Sequence, residues 1–486
     1  MHTNGHSNGR GYESFRAYTR NDLDTMPQLQ RLSATQRDAM KAVSAVLPFR
    51  TNAYVVNELI DWSAAPDDPM FQLTFPQAAM LEPQDLGRML RLVTDEAPNE
   101  VIKAEASAIR QRLNPHPAGQ MELNVPRLAG EPVPGVQHKY RETVLFFPAA
   151  GQTCHAYCSY CFRWAQFTGD DEMKFASREA DQLVQYLKRH PEVTSVLITG
   201  GDPLVMRTKV LRRYIEPLLD PSLENLATIR LGTKAPAYWP QRFVTDPDAD
   251  DLMRLFGEVR ASGRQLALMA HYSHPVELST NVAQRAVQRV QEAGAIVRCQ
   301  APLIRYVNDS ADVWAELWNT QVRLGAVPYY MFVERDTGAR HYFEVPLARA
   351  LTIFNRAVSQ VSGLGRTVRG PSMSATPGKV LVDGVATVGG ERVFVLKFLQ
   401  ARNPEWVGQP FFAHFDRHVT WFDGLRPAFG ESRFFFEHED ATAAPGNGNG
   451  NGHKHGPSHH RTPQRDRHAP GRPRGHHRSA EQNDPR

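Results

Sequence analysis

The chain has 486 residues, of which 41% are hydrophobic and 22% charged, a composition typical of a globular protein with a large core. Residues 441–486 hold eight Lys or Arg and three Asp or Glu, a net charge of +5. The whole chain has a net charge of +4, so the rest of the chain carries −1. Because the body of the protein has no basic excess, we expect no nucleic-acid partner. There is no apolar signal peptide, no run near the roughly 20 apolar residues of a membrane span, and only four cysteines, so we expect a cytoplasmic protein without a membrane partner.

Composition and periodicity divide the chain into five parts. We expect a disordered N-terminus at 1–40, a helical region at 41–135, an α/β domain at 136–390, a β-like, aromatic-rich extension at 391–438 and a disordered His/Arg/Gly-rich tail at 439–486. Helical patterns in the second part include "TQRDAMKAVSAVL" and "PQDLGRMLRLVTDE", and strand-like runs in the fourth include "ERVFVLKFLQ", "QPFFAHF", "VTWFDG" and "SRFFFEHE".

Short apolar runs alternate with amphipathic stretches throughout the α/β domain. The predicted strands are "TVLFFP", "VTSVLIT", "LATIRLGT", "QLALMAHY", "AIVRCQAPLI" and "AVPYYMFV", and the helices between them include "NVAQRAVQRVQEAG". This alternation predicts a parallel sheet, either doubly wound or closed into a whole or partial barrel. In both cases the polar residues that follow the strands are expected to face the active site.

Three of the four cysteines lie within eight residues of one another. Cys154, Cys158 and Cys161 follow the first predicted strand with the spacing C-x3-C-x2-C, while Cys299 stands alone. Structural zinc sites take four ligands, so a zinc site here would need a further ligand such as His155. Iron–sulfur clusters are also held by thiolates, and a four-iron cluster on three thiolates leaves one iron open. The spacing favours the cluster and leaves the zinc site as the alternative.

A second motif, "SVLITGGDPL", follows the next strand. Gly200 and Gly201 allow the backbone to approach a ligand closely, and Asp202 can accept a hydrogen bond from an ammonium group. Taken alone, such a turn is a weak signal of function.

Together, the two motifs resemble those of the radical S-adenosylmethionine (SAM) superfamily, and further blocks resemble the lysine 2,3-aminomutase family. These blocks are "PVPGVQHKYRETVLF", "CSYCFR", "LGTKAPAYWPQRF", "HYSHPVEL", "CQAPLIRYVND" and "VPYYMFVERDTGARHYF", in family order between about residues 48 and 390. The resemblance implies a partial (β/α)6 barrel and an enzyme, an aminomutase-like isomerase or a lyase. It also implies an electron donor such as a flavodoxin or ferredoxin, and oligomers are possible.

The resemblance also implies the cofactor sites. A [4Fe–4S] cluster on the three cysteines would cleave SAM reductively, and the resulting 5′-deoxyadenosyl radical would abstract hydrogen from a small amino-acid-like substrate. The residues implied in SAM binding are Tyr160, Gly200, Gly201, Asp202 and Gln300. Those implied in substrate binding are Arg163, for a carboxylate, and Asp309 and Asp383, for a distal ammonium group. An amino acid with a distal cationic group, or a related zwitterion, is therefore the expected substrate.

The chain departs from the family where a lysine binds pyridoxal phosphate (PLP). In "VLVDGVATVGGERVFVLKF", Gly389 and Gly390 match the family's glycine run, but Glu391 and Arg392 stand where the lysine is expected. Arginine stays protonated and cannot form a Schiff base. We therefore predict that PLP is absent.

The alternative is a PLP-dependent 2,3-aminomutase whose lysine has moved to Lys379 or Lys397. Lys139, Tyr140 and Tyr306 could still face a phosphate, although Thr143 replaces a basic residue of the family pattern. A third, non-enzymatic alternative is a zinc-binding protein with interaction tails.

Overall fold

Eleven of the strands in the described part of the chain form a single sheet. The computed structural model describes residues 14–113, 124–168, 175–178 and 180–440. Within these ranges the strands are β1 (Ala17–Thr19), β2 (Arg50–Asn52), β3 (Arg127–Leu128), β4 (Glu131–Pro132), β5 (Val136–Tyr140), β6 (Thr143–Phe146), β7 (Ser195–Ile198), β8 (Thr228–Thr233), β9 (Gln265–His271), β10 (Ile296–Leu303), β11 (Val327–Val333), β12 (Arg369–Ser374), β13 (Gly378–Val388), β14 (Glu391–Ala401) and β15 (Pro410–His414).

The large sheet runs from β5 to β15 in the order of the sequence. The strands from β6 to β12 are parallel to their neighbours, whereas β5 and the strands β13, β14 and β15 pair antiparallel. A mixed α/β fold is therefore confirmed, and successive parallel strands in sequence order are compatible with the partial (β/α)6 barrel. The pairs β1–β2 and β3–β4 lie outside this sheet.

Helices lie between the parallel strands in the sequence, and, among the described residues, four further helices precede the large sheet. Those described are α1 (Ala34–Val46), α2 (Pro69–Thr74), α3 (Pro83–Thr94), α4 (Asn99–Arg112), α5 (Asp181–Arg189), α6 (Thr208–Ile215), α7 (Ala235–Tyr238), α8 (Gln241–Val244), α9 (Ala249–Ala261), α10 (Asn281–Glu292), α11 (Ala311–Arg323), α12 (Arg340–Phe343), α13 (Leu347–Ser359) and α14 (Phe435–Asp440). Local sequence fixes their starts. At α1, for example, the Ser33 hydroxyl accepts from the Gln36 backbone amide at 3.2 Å, and the Gln36 side chain accepts from the Ser33 amide at 2.9 Å.

The parallel order determines which loops share one edge of the sheet. The carboxyl ends of β6, β7, β8 and β11 lead into the cysteine loop, the Gly-Gly-Asp turn, Lys234 and the Glu334–Asp336 segment, and β9 ends at His271. Because the carboxyl ends of parallel strands meet at the same edge, these segments converge, as the sequence predicts.

Residues 14–40, expected to be disordered, pack against the core. Leu23, Met26, Leu29 and Leu32 are buried. Leu29 lies in the second of two short 3₁₀ turns, and the other three residues flank these turns. Each turn is too short to give a helical pattern in the sequence, so the expected disorder is wrong for residues 14–40. Residues 1–13 lie outside the described residues.

The C-terminal extension also differs from the prediction. The expected boundary at residue 390 falls in the turn between β13 and β14, which continue the large sheet. "VTWFDG" contains a short 3₁₀ turn and "SRFFFEHE" ends in helix α14 instead of strands. Phe434 and Phe436 instead bury themselves against Phe411, at ring-centroid distances of 5.4 and 5.5 Å. The tail from residue 441 lies outside the described residues, and no helix in the described part of the chain is long and apolar enough to cross a membrane.

Candidate active site

The cysteine loop runs from the end of β6 toward Trp164 and is held by backbone contacts. The amide of Cys161 donates to the carbonyl of Cys158 at 3.0 Å, and the amide of Trp164 donates to the carbonyl of Cys161 at 3.0 Å. These turns fold the loop so that the three cysteines interact electrostatically with one another.

The N-terminal region supplies a second set of contacts to this loop. The amide of Tyr157 donates to the carbonyl of Arg50 at 2.8 Å, and the amide of Ser159 donates to the carbonyl of Leu73 at 2.9 Å. The Asn52 side chain donates to the carbonyl of His155 at 3.3 Å. The helical preface is therefore part of the site's architecture, a role that its periodicity does not signal.

The three thiols lie in a low-dielectric environment. Burial raises the pKa of Cys154 well above its usual value and the pKa of Cys161 to about 12, and neighbouring thiolates add to both shifts. The Sγ of Cys158 lies 3.4 Å from the Tyr238 hydroxyl, and Cys158 also interacts electrostatically with Lys234. Thiolates here need positive charge to compensate them, and a cationic iron–sulfur core supplies it.

The donor set fits a cluster better than a single zinc ion. Within the described ranges, no group of three or more Cys, His, Asp or Glu side chains is arranged to share one metal ion. A four-iron cluster binds each thiolate at a different iron, so its ligands need not converge on one point. The ring of His155 packs edge-on against Phe15 at 5.5 Å, and burial lowers its pKa to about 3.

The Gly-Gly-Asp turn packs directly beneath the cysteine loop. A Cβ on Gly201 would lie 2.4 Å from the carbonyl oxygen of Thr153, and Gly200 has a φ of +132°. The amide of Asp202 donates to the carbonyls of Thr153 and Gly151, at 2.7 and 3.1 Å. Only glycine fits this approach, so the turn and the loop form one unit.

The carboxylate of Asp202 is occupied by its own chain. It accepts from the Thr233 hydroxyl at 2.7 and 2.9 Å and from the backbone amides of Leu204, Lys234 and Ala235 at 2.9, 2.8 and 3.0 Å. Burial raises its pKa, and these hydrogen bonds oppose the rise. The side chain is thus placed to hold the turn, and it leaves no position for the ammonium group expected from the sequence.

Two other residues predicted to bind SAM lie on the same edge. The hydroxyl of Tyr160 is 3.4 Å from the Ser273 hydroxyl, and the Gln300 amide nitrogen is 2.9 Å from His271 Nε2. Beside them lies a buried ion pair between Lys234 and Glu277, with Nζ and Oε1 2.6 Å apart. The sequence analysis missed this pair and Tyr238, although "LGTKAPAY" and "HYSHPVEL" follow the ends of β8 and β9.

Arg163 is buried and carries an unsatisfied donor. Its side chain lies between aromatic rings, with Cζ 4.4 Å from the Phe147 centroid and 5.1 Å from the Phe162 centroid. Nη1 has no hydrogen-bond partner among the described residues, and burial lowers the pKa of the guanidinium to about 10. A buried cation of this kind calls for an anionic ligand.

The two aspartates predicted to bind an ammonium group are not part of this arrangement. Asp309 Oδ2 lies 2.8 Å from Arg349 Nη2, and Asp383 Oδ2 lies 3.0 Å from Lys397 Nζ. Both pairs are partly exposed. Each carboxylate is already matched by a cation of the chain, so the structure gives no support to this part of the prediction.

The residues predicted to hold PLP separate into two groups. Tyr306 is 49% exposed and packs against Tyr342 at 4.7 Å, and Lys397 forms the surface ion pair described above. Lys139 and Tyr140, on β5, instead lie close to Lys379, on β13. The Lys139 ammonium donates to the carbonyl of Ala375.

Lys139 and Lys379 belong to a larger cationic cluster, completed by Arg230 and Arg369. Lys379 Nζ lies 4.2 Å from the Tyr330 ring centroid, and Arg369 Cζ lies 4.4 Å from the same centroid. Arg230 Nη2 contacts the Thr143 hydroxyl at 3.4 Å. In the described part of the chain, no ion pair joins any of the four to a carboxylate. Burial, followed by neighbouring cations, lowers the pKa of both Lys139 and Lys379 to about 7.

Comparison with known proteins identifies the domain around the cysteines. Residues 141–225 match a family model described as "4Fe-4S single cluster domain". A protein of Aquifex aeolicus whose name gives L-lysine 2,3-aminomutase as a provisional activity is 28% identical over 395 residues, which cover 81% of this chain and 92% of the relative. The L-lysine 2,3-aminomutase of Clostridium subterminale is 28% identical over 275 residues, covering 56% of this chain and 62% of the relative.

A structural neighbour is a radical SAM methyltransferase from Sphaerobacter thermophilus, with a TM-score of 0.33 and 15% identity over 57% of this chain and 91% of the neighbour. This likeness is too low to bear on the site. The matched cluster domain, the sequence relatives and the order of the motifs agree with one another. The chain is thus similar to lysine 2,3-aminomutases over most of its length, and the segment that holds its three clustered cysteines matches a 4Fe-4S cluster domain.

Proposed function

We propose that this enzyme abstracts a hydrogen atom from an amino acid or a related zwitterion, and that Arg163 binds the carboxylate of that substrate. The observation that carries the proposal is the buried guanidinium two residues after Cys161, whose Nη1 meets no acceptor in the described part of the chain. A substrate carboxylate would satisfy this donor next to the cysteine loop and would orient the substrate toward it.

The chain's own residues fit the two cofactors of this chemistry. Cys154, Cys158 and Cys161 would hold a [4Fe–4S] cluster, and the cluster with SAM supplies a 5′-deoxyadenosyl radical. No hydrogen bond within the described residues uses the carbonyl oxygens of Gly200 and Gly201. These carbonyls can therefore accept from the amino group of SAM, while Asp202 keeps the turn in place.

The remaining residues of the edge have supporting roles in this proposal. Tyr160 and Gln300 would contact SAM, and each is oriented by a partner on the end of β9 or just beyond it. The rings of Phe147 and Phe162 exclude water from Arg163, which strengthens its interaction with a carboxylate. A flavodoxin or ferredoxin would supply the electron.

The test uses anaerobically reconstituted enzyme with SAM, a reductant and candidate amino acids, and it measures 5′-deoxyadenosine. Arg163→Ala should cost about 2–4 kcal/mol of substrate binding, because it removes a buried charge-assisted contact. Arg163→Lys should also be impaired, since it loses the planar fork. Arg285→Ala, at a surface ion pair with Glu292, is the matched control. Full turnover by Arg163→Ala contradicts the proposal.

The position of Lys379 favours a second candidate, a PLP-dependent aminomutase with a relocated lysine. Its Nζ lies 4.2 Å from the Tyr330 ring centroid, and its lowered pKa of about 7 makes the neutral amine available at physiological pH. Lys139, Arg230 and Arg369 would compensate a phosphate. Arg392 does not share this position, since its Cζ lies 3.9 Å from the ring of Phe415.

Borohydride reduction followed by peptide mapping distinguishes the two candidates. A phosphopyridoxyl adduct on Lys379 at about one per chain, lost in Lys379→Arg and kept in Lys397→Arg, supports the second candidate. Hydrogen abstraction without bound or added PLP supports the first and the prediction from the sequence that PLP is absent.

A further inference from the structure

Arg335 is a second buried guanidinium with free donors, just after β11. Its side chain is 14% exposed, and its Nη1 donates to the carbonyl of Ser374 at 3.0 Å. Nε and Nη2 have no hydrogen-bond partner among the described residues. Asp336 forms an ion pair with Arg335, with Oδ1 3.6 Å from Nε, a separation beyond hydrogen-bond distance.

Arg335 and Arg163 share one aromatic ring. The Cζ atoms of Arg163 and Arg335 lie 5.1 and 5.6 Å from the centroid of Phe162, and the two guanidinium groups interact electrostatically. The loops that carry them are also joined, because Trp164 Nε1 donates to the Thr337 hydroxyl at 3.2 Å. The arginine pair thus presents three unsatisfied nitrogens in one buried region.

The surroundings of the arginine pair do not suit a distal ammonium group. Asp309 and Asp383 are matched by Arg349 and Lys397 in partly exposed ion pairs. Lys139, from the cationic cluster, interacts electrostatically with Arg335. Arg163, Arg335 and Lys139 together exceed the single carboxylate of Asp336 that pairs with Arg335, and buried cations are costly when they are unpaired.

Asp336 offsets part of this positive charge through its ion pair with Arg335, whereas burial disfavours the charged forms of Glu334 and Asp423. Both carboxylate oxygens of Glu334 lack a hydrogen-bond partner in the described part of the chain. Burial raises the pKa of Glu334 well above its usual range, and Glu344 and Asp336 add to the rise, so the neutral acid is favoured there. Burial also raises the pKa of Asp423.

We propose that the substrate is an amino acid with a second carboxylate on its side chain, with Arg163 binding the α-carboxylate and Arg335 binding the distal one. This inference rests on the proposed function and deepens it. It replaces the distal cationic group expected from the sequence. The two guanidinium groups give each carboxylate its own planar set of donors.

The test compares amino acids that differ in side-chain charge. SAM-loaded, reconstituted enzyme is given L-glutamate, L-aspartate, O-phospho-L-serine, L-norleucine, L-lysine or L-arginine, and 5′-deoxyadenosine formation and equilibrium binding are measured. Glutamate or aspartate should exceed norleucine by about tenfold or more, the effect of one charge-assisted contact. A preference for lysine or arginine overturns the inference, and so does a preference for phosphoserine over both dicarboxylates.

Variants separate the two arginines. Arg335→Gln should bring glutamate and norleucine to similar rates, and Arg335→Glu should shift the preference toward lysine. Arg163→Ala should weaken all three amino acids alike, because each has an α-carboxylate. Arg285→Ala is the control, and iron content with thermal unfolding checks the fold of each variant. If Arg335→Gln does not fold, the comparison of glutamate and aspartate with norleucine and lysine on the wild type still tests the inference.

The results distinguish this inference from the function on which it rests. Stimulation by lysine or norleucine alone refutes the second carboxylate and leaves the proposed function standing. Stimulation by no amino acid in the panel contradicts both.

Discussion

Two glycine pairs that look alike in the sequence have opposite roles in the structure. Gly200 and Gly201 follow β7 and lie against the cysteine loop, where a Cβ on Gly201 would meet the Thr153 backbone at 2.4 and 2.5 Å. Gly389 and Gly390 join β13 to β14, and a Cβ on either would meet no atom of the described residues within 4 Å. The first pair is required by close packing, and the second by turn geometry alone.

The second pair forms a two-residue hairpin turn. Gly389 and Gly390 have φ values of +58° and +86°, and Val388 pairs with Glu391 across the turn. Such turns favour glycine at both central positions. A match to a family's glycine run therefore does not identify a cofactor loop unless something packs against it.

The largest effect is expected for Gly201→Ala. The new methyl group would push the turn away from Thr153 and displace the loop that holds the cysteines, at a cost of about 1–3 kcal/mol. We expect most of the bound iron, and with it the cleavage of SAM, to be lost. Iron and sulfide analysis after reconstitution checks this, and a full complement of iron would contradict the close approach.

Asp202→Asn should have the next largest effect. The asparagine side chain would direct its NH2 group at the Thr233 hydroxyl and three backbone N–H groups, which all donate to Asp202 in the wild type. A mispaired buried group of this kind costs about 1–3 kcal/mol of stability. Asp383→Asn is the matched change at an exposed pair, where a loss of about 0–1 kcal/mol is expected. Denaturant unfolding compares them, and equal losses would refute the distinction.

Lys379 provides a pH-dependent test at the other end of strand β13. Its pKa is lowered in the folded chain, so between about pH 7 and its usual value near 10.5 the unfolded chain holds one more proton. The contribution of Lys379 to stability should therefore rise with pH over this range. Lys379→Met should flatten the dependence in denaturant unfolding at pH 7, 8 and 9, whereas Lys397→Met should not. Parallel curves for wild type and Lys379→Met would show that the ammonium is not buried.

The smallest effect on the cluster site is expected for Gly389→Ala. Its left-handed backbone should cost about 1–2 kcal/mol of stability, without any change in iron content or SAM cleavage. Thermal unfolding and iron analysis of the same samples measure both quantities. A loss of iron would mean that the hairpin takes part in the cluster site.

The sequence predicted the parts of the site that depend on local order. Alternating strands and helices place the segments after β6, β7 and β8 at one edge, and the spacing of Cys154, Cys158 and Cys161 points to a cluster without knowledge of the fold. The close approach of Gly201 also follows from its residue type.

The rest depends on contacts between distant residues. Nothing local shows that Asp202 is occupied by Thr233, or that Asp383 pairs with Lys397 across the β13–β14 hairpin. The face of the sheet on which the Lys379 side chain lies depends on strand register. A bulge between Lys379 and Val380 shifts that register. The arginine pair likewise depends on two loops that are far apart in the sequence. Trp164 and Thr337, which join these loops by a hydrogen bond, are 173 residues apart.

The most direct test of the central claim is 5′-deoxyadenosine formation by reconstituted wild-type enzyme beside Cys158→Ala. With SAM and a reductant, the wild type should hold about four irons per chain and form 5′-deoxyadenosine, because three thiolates leave one iron open. Cys158→Ala should form none, whereas Cys299→Ala, at a buried cysteine remote in sequence from the loop, should match the wild type. A wild type that binds only zinc and never yields 5′-deoxyadenosine would contradict the account.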